Sequence, residues 1–158
     1  MDKARPKKKS KAMPKKPASP RSKPKFQNGK ERYRMLLQQL PLGVFRTTPE
    51  GKIDEANAAL ANMLGYNLAE LKKIDINKLY VKPYERRQYL KKIEDKEMNS
   101  YEFRLRRRDG RTIWTRSYPR PIKGPHGRIA YYDGILVDIT REKTVEGKLK
   151  KVDRKSVV

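Results

Sequence analysis

The 158-residue chain contains no cysteine, which excludes a disulfide framework, a thiolate metal site and a cysteine nucleophile, and fits a reducing compartment. It has a single histidine, His126, so imidazoles cannot cluster at metal-ligand spacing. No apolar run approaches the ~20 residues a membrane-crossing helix needs, and the N-terminus lacks the apolar stretch of a secretory leader. The expectation is a soluble cytoplasmic protein. Acidic residues are scarce: 18 Asp and Glu stand against 41 Lys and Arg, a formal charge of +23. There is no Gly-rich phosphate loop, and Asp54, Glu55 and Asp133 show no pairing that would mark a general acid or base. The chain is not expected to be an enzyme.

The positive charge is unevenly placed. Residues 1–30 hold twelve basic residues and one acid, and the remaining 128 residues carry +12. The stretch MDKARPKKKSKAMPKKPASPRSKPKF has five prolines and almost nothing to bury, so it cannot offset the entropy of ordering and is expected to be a disordered basic tail. Two readings of that tail stand side by side: electrostatic attachment to nucleic acid or an anionic surface, or a solubilising leader with no binding role.

Folded structure is expected over 31–140. In ERYRMLLQQL, Tyr33, Leu36, Leu37 and Leu40 recur at i, i+3, i+4, i+7, an amphipathic helical stripe. It can pack on its own sheet or on a twin helix, and the second option predicts a homodimer. Val44 to Thr47 and Lys52 to Ala56 read as a hairpin about a Pro-Glu-Gly turn. Three short helical pieces follow, capped by Asn57, by Asn67 with Glu70, and by Asp75. Pro83 opens a longer helix with Tyr89, Leu90 and Ile93 on its apolar face. The C-terminal half reads as three strands: one with Tyr101, Phe103 and Leu105, an Asp109-Gly110 turn, Thr112 to Ile122, then Arg128 onward. In the last, Ile129, Tyr131, Ile135, Val137 and Ile139 form one face while Ala130, Tyr132 and Leu136 make the other partly apolar, so it is expected to be covered on both sides. Residues 141–158 are highly charged, with Val145, Leu149 and Val152 spaced as one heptad of a coiled-coil seam.

The segments LPLGVFRTTPEGKIDEANAALANMLGYNLAEL and YEFRLRRRDGRTIWTRSYPRPIKGPHGRIAYYDGILVDITREK resemble, in order and spacing, the PAS family of sensory domains with its C-terminal PAC portion. The resemblance covers about residues 31–143. It implies an α+β fold: a five-stranded antiparallel sheet with short helices across one face enclosing a small cavity. It also implies signal transduction, with the terminal Asp-Ile-Thr closing the last strand before a connector helix. Asp138 and Thr140 are the expected signal junction, Thr140 as N-cap of a helix starting at Arg141 and Asp138 bonding backbone amides or a nearby Arg. The output then passes to a partner protein, or to an effector beyond the chain if the chain is a piece of a longer one.

The resemblance also bears on cofactors. The family's light-driven cysteinyl-flavin adduct is excluded by the absence of cysteine. Haem is disfavoured, because the long helix has no histidine and His126 lies in a Gly-Pro-His-Gly turn; a Tyr or Met ligand stays open. A non-covalent flavin or another small ligand also stays open, with Met63, Tyr89, Phe103, Trp114, Tyr118 and Ile135 as the candidate lining. For Trp114 a core-filling role is the simpler reading. Arg104, Arg106, Arg107, Arg108 and Arg111 flank the hairpin turn, but with Phe103 and Trp114 expected in the core, nucleic-acid affinity is assigned to the tail.

Overall fold

A computed structural model of the chain describes residues 29–96 and 99–156. The basic tail lies outside them except for Gly29 and Lys30, which open the first helix. The elements are α1 (Gly29–Gln39), β1 (Gly43–Thr47), β2 (Ile53–Ala56), α2 (Ala58–Leu64), α3 (Leu68–Leu71), a 3-10 turn (Ile76–Leu79), α4 (Glu85–Glu94), β3 (Tyr101–Arg106), β4 (Thr112–Lys123), β5 (Ile129–Asp138) and α5 (Thr140–Lys155). The strands form one antiparallel sheet of order β2-β1-β5-β4-β3. β5 is central, hydrogen-bonded to β1 on one side and β4 on the other.

The short helices start and stop where side chains satisfy their free ends. Asn57 Oδ1 accepts the Leu60 amide at 3.0 Å and the Val44 amide at 2.9 Å, while its Nδ2 donates to the Leu42 carbonyl. One amide side chain thus caps α2 and ties it to β1. Gly65 ends α2 in the left-handed region, at φ 79°, where a residue with a Cβ is strained. Asn67 and Glu70 form a reciprocal capping box on α3, and Asp75 caps the 3-10 turn through the Asn77 amide. Each cap is worth ~1 kcal/mol, whereas burying one Leu or Phe side chain contributes roughly 1.5–3 kcal/mol. Leu60, Leu64, Leu71 and Leu79 are all fully buried, so packing on the sheet dominates and the caps set the boundaries.

Alternation along the strands separates two faces. On β4, Ile113, Thr115 and Ser117 are buried against the helices; Trp114, Arg116 and Tyr118 therefore point to the opposite, outer face. On β5, Tyr132 and Leu136 are buried inward, and Ile135, paired with Tyr118, sits on the outer face. The sequence expectation that β5 is covered on both sides is corrected: Ile135 and Tyr118 are exposed. Gly134 is required by close approach, since a Cβ there would meet the Phe45 ring at 2.6 Å and the Tyr118 carbonyl at 2.9 Å.

Both terminal helices carry apolar stripes that the rest of the subunit does not cover. On α1, Tyr33, Leu36 and Leu40 are exposed, Tyr33 at 61 %; the Leu37 side chain is outside the described residues. On α5, Val145, Leu149 and Val152 are exposed and no residue is buried.

Candidate functional site

The interior between helices and sheet holds a cavity of about 30 Å³. Its walls include Phe45, Leu60, Tyr89, Phe103, Ser117 and Tyr132. The aromatic side is tightly stacked: the Phe103 ring lies 4.8 Å from Tyr80 and 5.2 Å, edge-on, from Tyr89. Tyr89 and Ser117 share a hydrogen bond of 2.8 Å across the cavity, joining α4 to β4. Burial holds the Tyr89 phenol above its ordinary range, and burial together with the Glu94 carboxylate does the same for Tyr132. Both therefore act as neutral hydroxyls. Arg86, only 5 % exposed, donates to the Thr48 and Pro49 carbonyls at 3.0 and 2.8 Å and to Asn77 at 3.3 Å. It clamps the β1–β2 turn to α4, and nothing in the sequence pattern marks it for the interior.

A cavity of about 30 Å³ accommodates a water molecule, whereas small-molecule sites span about 300–1,000 Å³. A flavin ring would enter only by displacing the surrounding side chains. Of the six residues expected to line a ligand site, Tyr89 and Phe103 line this cavity, and Met63 packs against the edge of the core without lining it. Trp114, Tyr118 and Ile135 do not reach it. They sit on the outer sheet face, because the small Thr115 and Ser117 occupy the inward positions of β4. Among the described residues, no group of three or more His, Asp or Glu could hold a metal ion, and no helix is long and apolar enough to cross a membrane.

The strand-to-helix corner is built around Trp114. Its carbonyl accepts the Ile139 amide at 2.9 Å, and its own amide donates to Thr140 Oγ1 at 3.0 Å. The β4–β5 ladder is thereby carried past the end of β5 and into the first residue of α5. Asp138 Oδ1 accepts both the Thr140 amide, at 2.9 Å, and the Thr140 hydroxyl, at 2.6 Å. The expected role of Thr140 as N-cap is corrected: α5 begins at Thr140 itself, with Ile139 in the capping position and no side-chain cap. The Thr140 hydroxyl is used instead to receive the neighbouring strand.

A second layer of contacts was not legible in sequence. The first turn of α5 crosses the outer face, where Lys143 pairs with Glu102 and lies 5.3 Å from the Trp114 ring centre. Arg116 binds the same Glu102 carboxylate at 2.8 and 3.0 Å and approaches Glu142 at 3.7 Å. Arg104 also lies over the Trp114 ring, 5.6 Å from its centre. Trp114 is thus contacted by cations from both β3 and α5. Hydrogen bonds from Lys143 and then Arg116 hold the Glu102 carboxyl below its ordinary range. A carboxylate with a depressed folded pKa adds stability that is present at neutral pH and is lost as pH falls through the folded value. The contacts between α5 and β3 are therefore expected to hold through the ordinary carboxylate range and to loosen only as pH falls below it. Amide exchange of Lys143 measured against pH checks this, and Glu102→Gln is expected to loosen the same turn already at neutral pH.

Three comparisons with known proteins place this geometry. A family model described as PAS domain matches residues 41–141. A comparison with curated proteins finds no match. Among solved structures, an RNA-binding light-oxygen-voltage receptor superposes with a TM-score of 0.65 at 18 % identity, over 87 % of this chain and 42 % of its own. The PAS domain of a protein from Colwellia psychrerythraea gives 0.62 at 20 % identity, over 72 % of this chain and 99 % of that one. A sensory box histidine kinase/response regulator from Burkholderia thailandensis gives 0.58 at 20 % identity, over 80 % and 97 %. This chain therefore spans less than half of the receptor and nearly all of the other two chains.

Proposed function

The chain belongs to the PAS domain family, whose model covers residues 41–141, and from that premise we propose that it acts as a sensory relay with α5 as its output. The observation that carries the reading is the pair of hydrogen bonds made by the Trp114 backbone, its carbonyl accepting from the Ile139 amide and its amide donating to the Thr140 hydroxyl oxygen. β4 faces the interior through Ser117 and Thr115 and the connector helix through Trp114, so a displacement of β4 from within reaches α5 without a flexible joint. The interior as it stands has room for a water-sized polar molecule near the Tyr89–Ser117 bond; a larger signal arrives as a protein docking on the surface. The exposed Val145, Leu149 and Val152 stripe fits a partner helix, either from a second copy or from an effector. The experiment is Tyr89→Phe, which deletes the hydroxyl bonded to Ser117 and leaves the outer face untouched. Faster amide exchange in the first turn of α5 is expected. Unchanged exchange there, with the α4–β4 contact loosened, contradicts the relay.

The α1 stripe supports a homodimer in this reading, with Leu36 and its neighbours packing on a twin α1 and leaving the sheet face open. Light scattering over a concentration series is expected to approach twice the 18.6 kDa chain mass, and Leu36→Glu is expected to return the protein to monomer. A concentration-independent mass of 18.6 kDa removes the dimer.

A second reading, attachment to nucleic acid or anionic surfaces through residues 1–30, is favoured by the twelve basic residues gathered there and accords with an RNA-binding receptor among the structural neighbours. Deleting those residues is then expected to weaken polyanion binding in a salt-dependent way and to leave the melting temperature nearly unchanged.

A further inference from the structure

A positive charge is buried at the wall of the interior cavity, and no acid on that wall neutralises it. Arg86 and Tyr89 stand three residues apart on α4, so both side chains take its inward face, and both line the cavity. Among the described residues Arg86 is in no ion pair. Its bonds go to neutral oxygens, the Thr48 and Pro49 carbonyls and Asn77 Oδ1, which accept its protons without cancelling its charge. These three bonds leave two of the five N–H donors of a guanidinium unused. The cavity lining holds no Asp or Glu among the described residues. Glu85, next in sequence, and Glu50, on the adjoining turn, both lie beyond ion-pair distance of Arg86, and Glu94 takes the Tyr132 hydroxyl from outside the lining. Hydroxyls complete the polar part of the wall: Tyr89 and Ser117, joined at 2.8 Å, and Thr47. Burial raises the Tyr80, Tyr89 and Tyr132 phenols, and the Arg86 charge pulls against burial at all three. One cation therefore acts across the whole cavity.

We propose that this cavity binds a small monovalent anion, held by the free donors of Arg86 beside the Tyr89–Ser117 hydroxyl pair. Size, charge and surroundings select that occupant. One water needs ~10–15 Å³ of such space, so about 30 Å³ admits a halide or an oxyanion the size of formate. A single cation with no acid on the wall calls for a single negative charge, since buried charges are paired as a rule. Phe45, Leu60 and Phe103 close the remaining sides and keep the dielectric low, where a charge-assisted hydrogen bond to a guanidinium is strong. A cation would meet the like charge of Arg86, and a neutral molecule would leave that charge unpaired. Such an anion would be the signal of the relay proposed above, and rests on that reading only for its effect at α5; its binding does not require it.

The test uses the isotope-labelled full chain, titrated with formate, chloride and formamide at an ionic strength held constant by a sulfonate buffer too large for the cavity. At least one of the two anions is expected to move the Arg86 Nε–H and Tyr89 amide resonances along one saturable curve. Its Kd is expected on the order of a millimolar or weaker, the ceiling for a ligand of about three heavy atoms. Formamide, the neutral analogue of formate, is expected to bind ~tenfold more weakly than the better anion. The better anion assigns the site to an oxyanion or a halide, and either supports the proposal. Arg86→Gln is expected to abolish saturation. Because Arg86 also clamps the β1–β2 turn, Ser117→Val serves as a second variant that fills the cavity from β4 and leaves the turn alone, and it is expected to weaken the anion ~tenfold or more. A melting temperature within a few degrees of the parent shows that each variant remains folded. The site is overturned if neither anion gives a saturable shift, if formamide binds as well as the better anion, or if folded Ser117→Val keeps the parent's affinity. Amide exchange in the first turn of α5, measured with and without the anion, separates site from relay. Saturable binding with unchanged exchange keeps the site and removes its part in the relay; no binding, with Tyr89→Phe still loosening α5, keeps the relay and removes the site.

Discussion

Phe103→Ala is expected to cost about 3–5 kcal/mol of stability, enough to lower the melting temperature by roughly 10–20 °C for a domain of this size. Phe103 is almost fully buried and is the hub of the aromatic cluster, within 4.8 to 6.2 Å of the Tyr80, Tyr89 and Tyr101 ring centres. Its removal strips dispersion contacts from three rings at once and enlarges a cavity that now measures about 30 Å³. Because the new space would be apolar on most sides, a small aromatic such as benzene is expected to bind there and recover part of the loss. Thermal melts of the variant with and without benzene check both effects. A loss below about 1 kcal/mol would mean that the helices collapse onto the sheet and the cavity is not held open by its walls.

The second large effect is expected at the corner. The double variant Asp138→Ala, Thr140→Ala removes the Asp138 acceptor for the Thr140 amide and hydroxyl, and the Thr140 acceptor for the Trp114 amide. It leaves a half-buried Trp114 donor unpaired, a penalty of about 1–3 kcal/mol. Little of that should appear as lost global stability, because the core does not include these side chains; the loss should be concentrated at α5. Amide exchange in the first turn of α5 is expected to rise at least tenfold, equivalent to about 1.4 kcal/mol of local opening, while mid-strand amides of β4 and β5 keep their protection. Equal loosening of strand and helix would show that the corner is part of the core rather than a joint attached to it.

The element order was legible because punctuation was unambiguous: Asn57 and Gly65 bracket α2, Asn67 with Glu70 opens α3, and Asp109-Gly110 turns β3 into β4. What failed was facing. Trp114, Tyr118 and Ile135 were expected to line the interior because the family resemblance implied it, yet Thr115 and Ser117 take the interior with no exposure at all. The signal was present in the parity: Arg116 and Arg120 share a strand face with Trp114 and Tyr118, and charged groups in such number cannot face a dry core. The Thr140 role was misread for a different reason. A threonine after a strand is a good cap by propensity, but here the hydroxyl is captured by the Trp114 amide, a tertiary contact with no local signature. Glu102 and Lys143, far apart in sequence, meet only because α5 folds back over β3.

The account stands on the mechanical continuity between the sheet and α5, and site-resolved hydrogen exchange of the parent protein tests it most directly. The amides of Trp114 and Ile139 are predicted to exchange as slowly as mid-strand amides of β4 and β5, opening only with the whole domain, while amides beyond Gly147 on the exposed part of α5 exchange far faster. If the Trp114 and Ile139 amides instead exchange at the rate of that exposed helix end, the strand and the connector are separate bodies, and movement within the fold does not reach α5 through this corner.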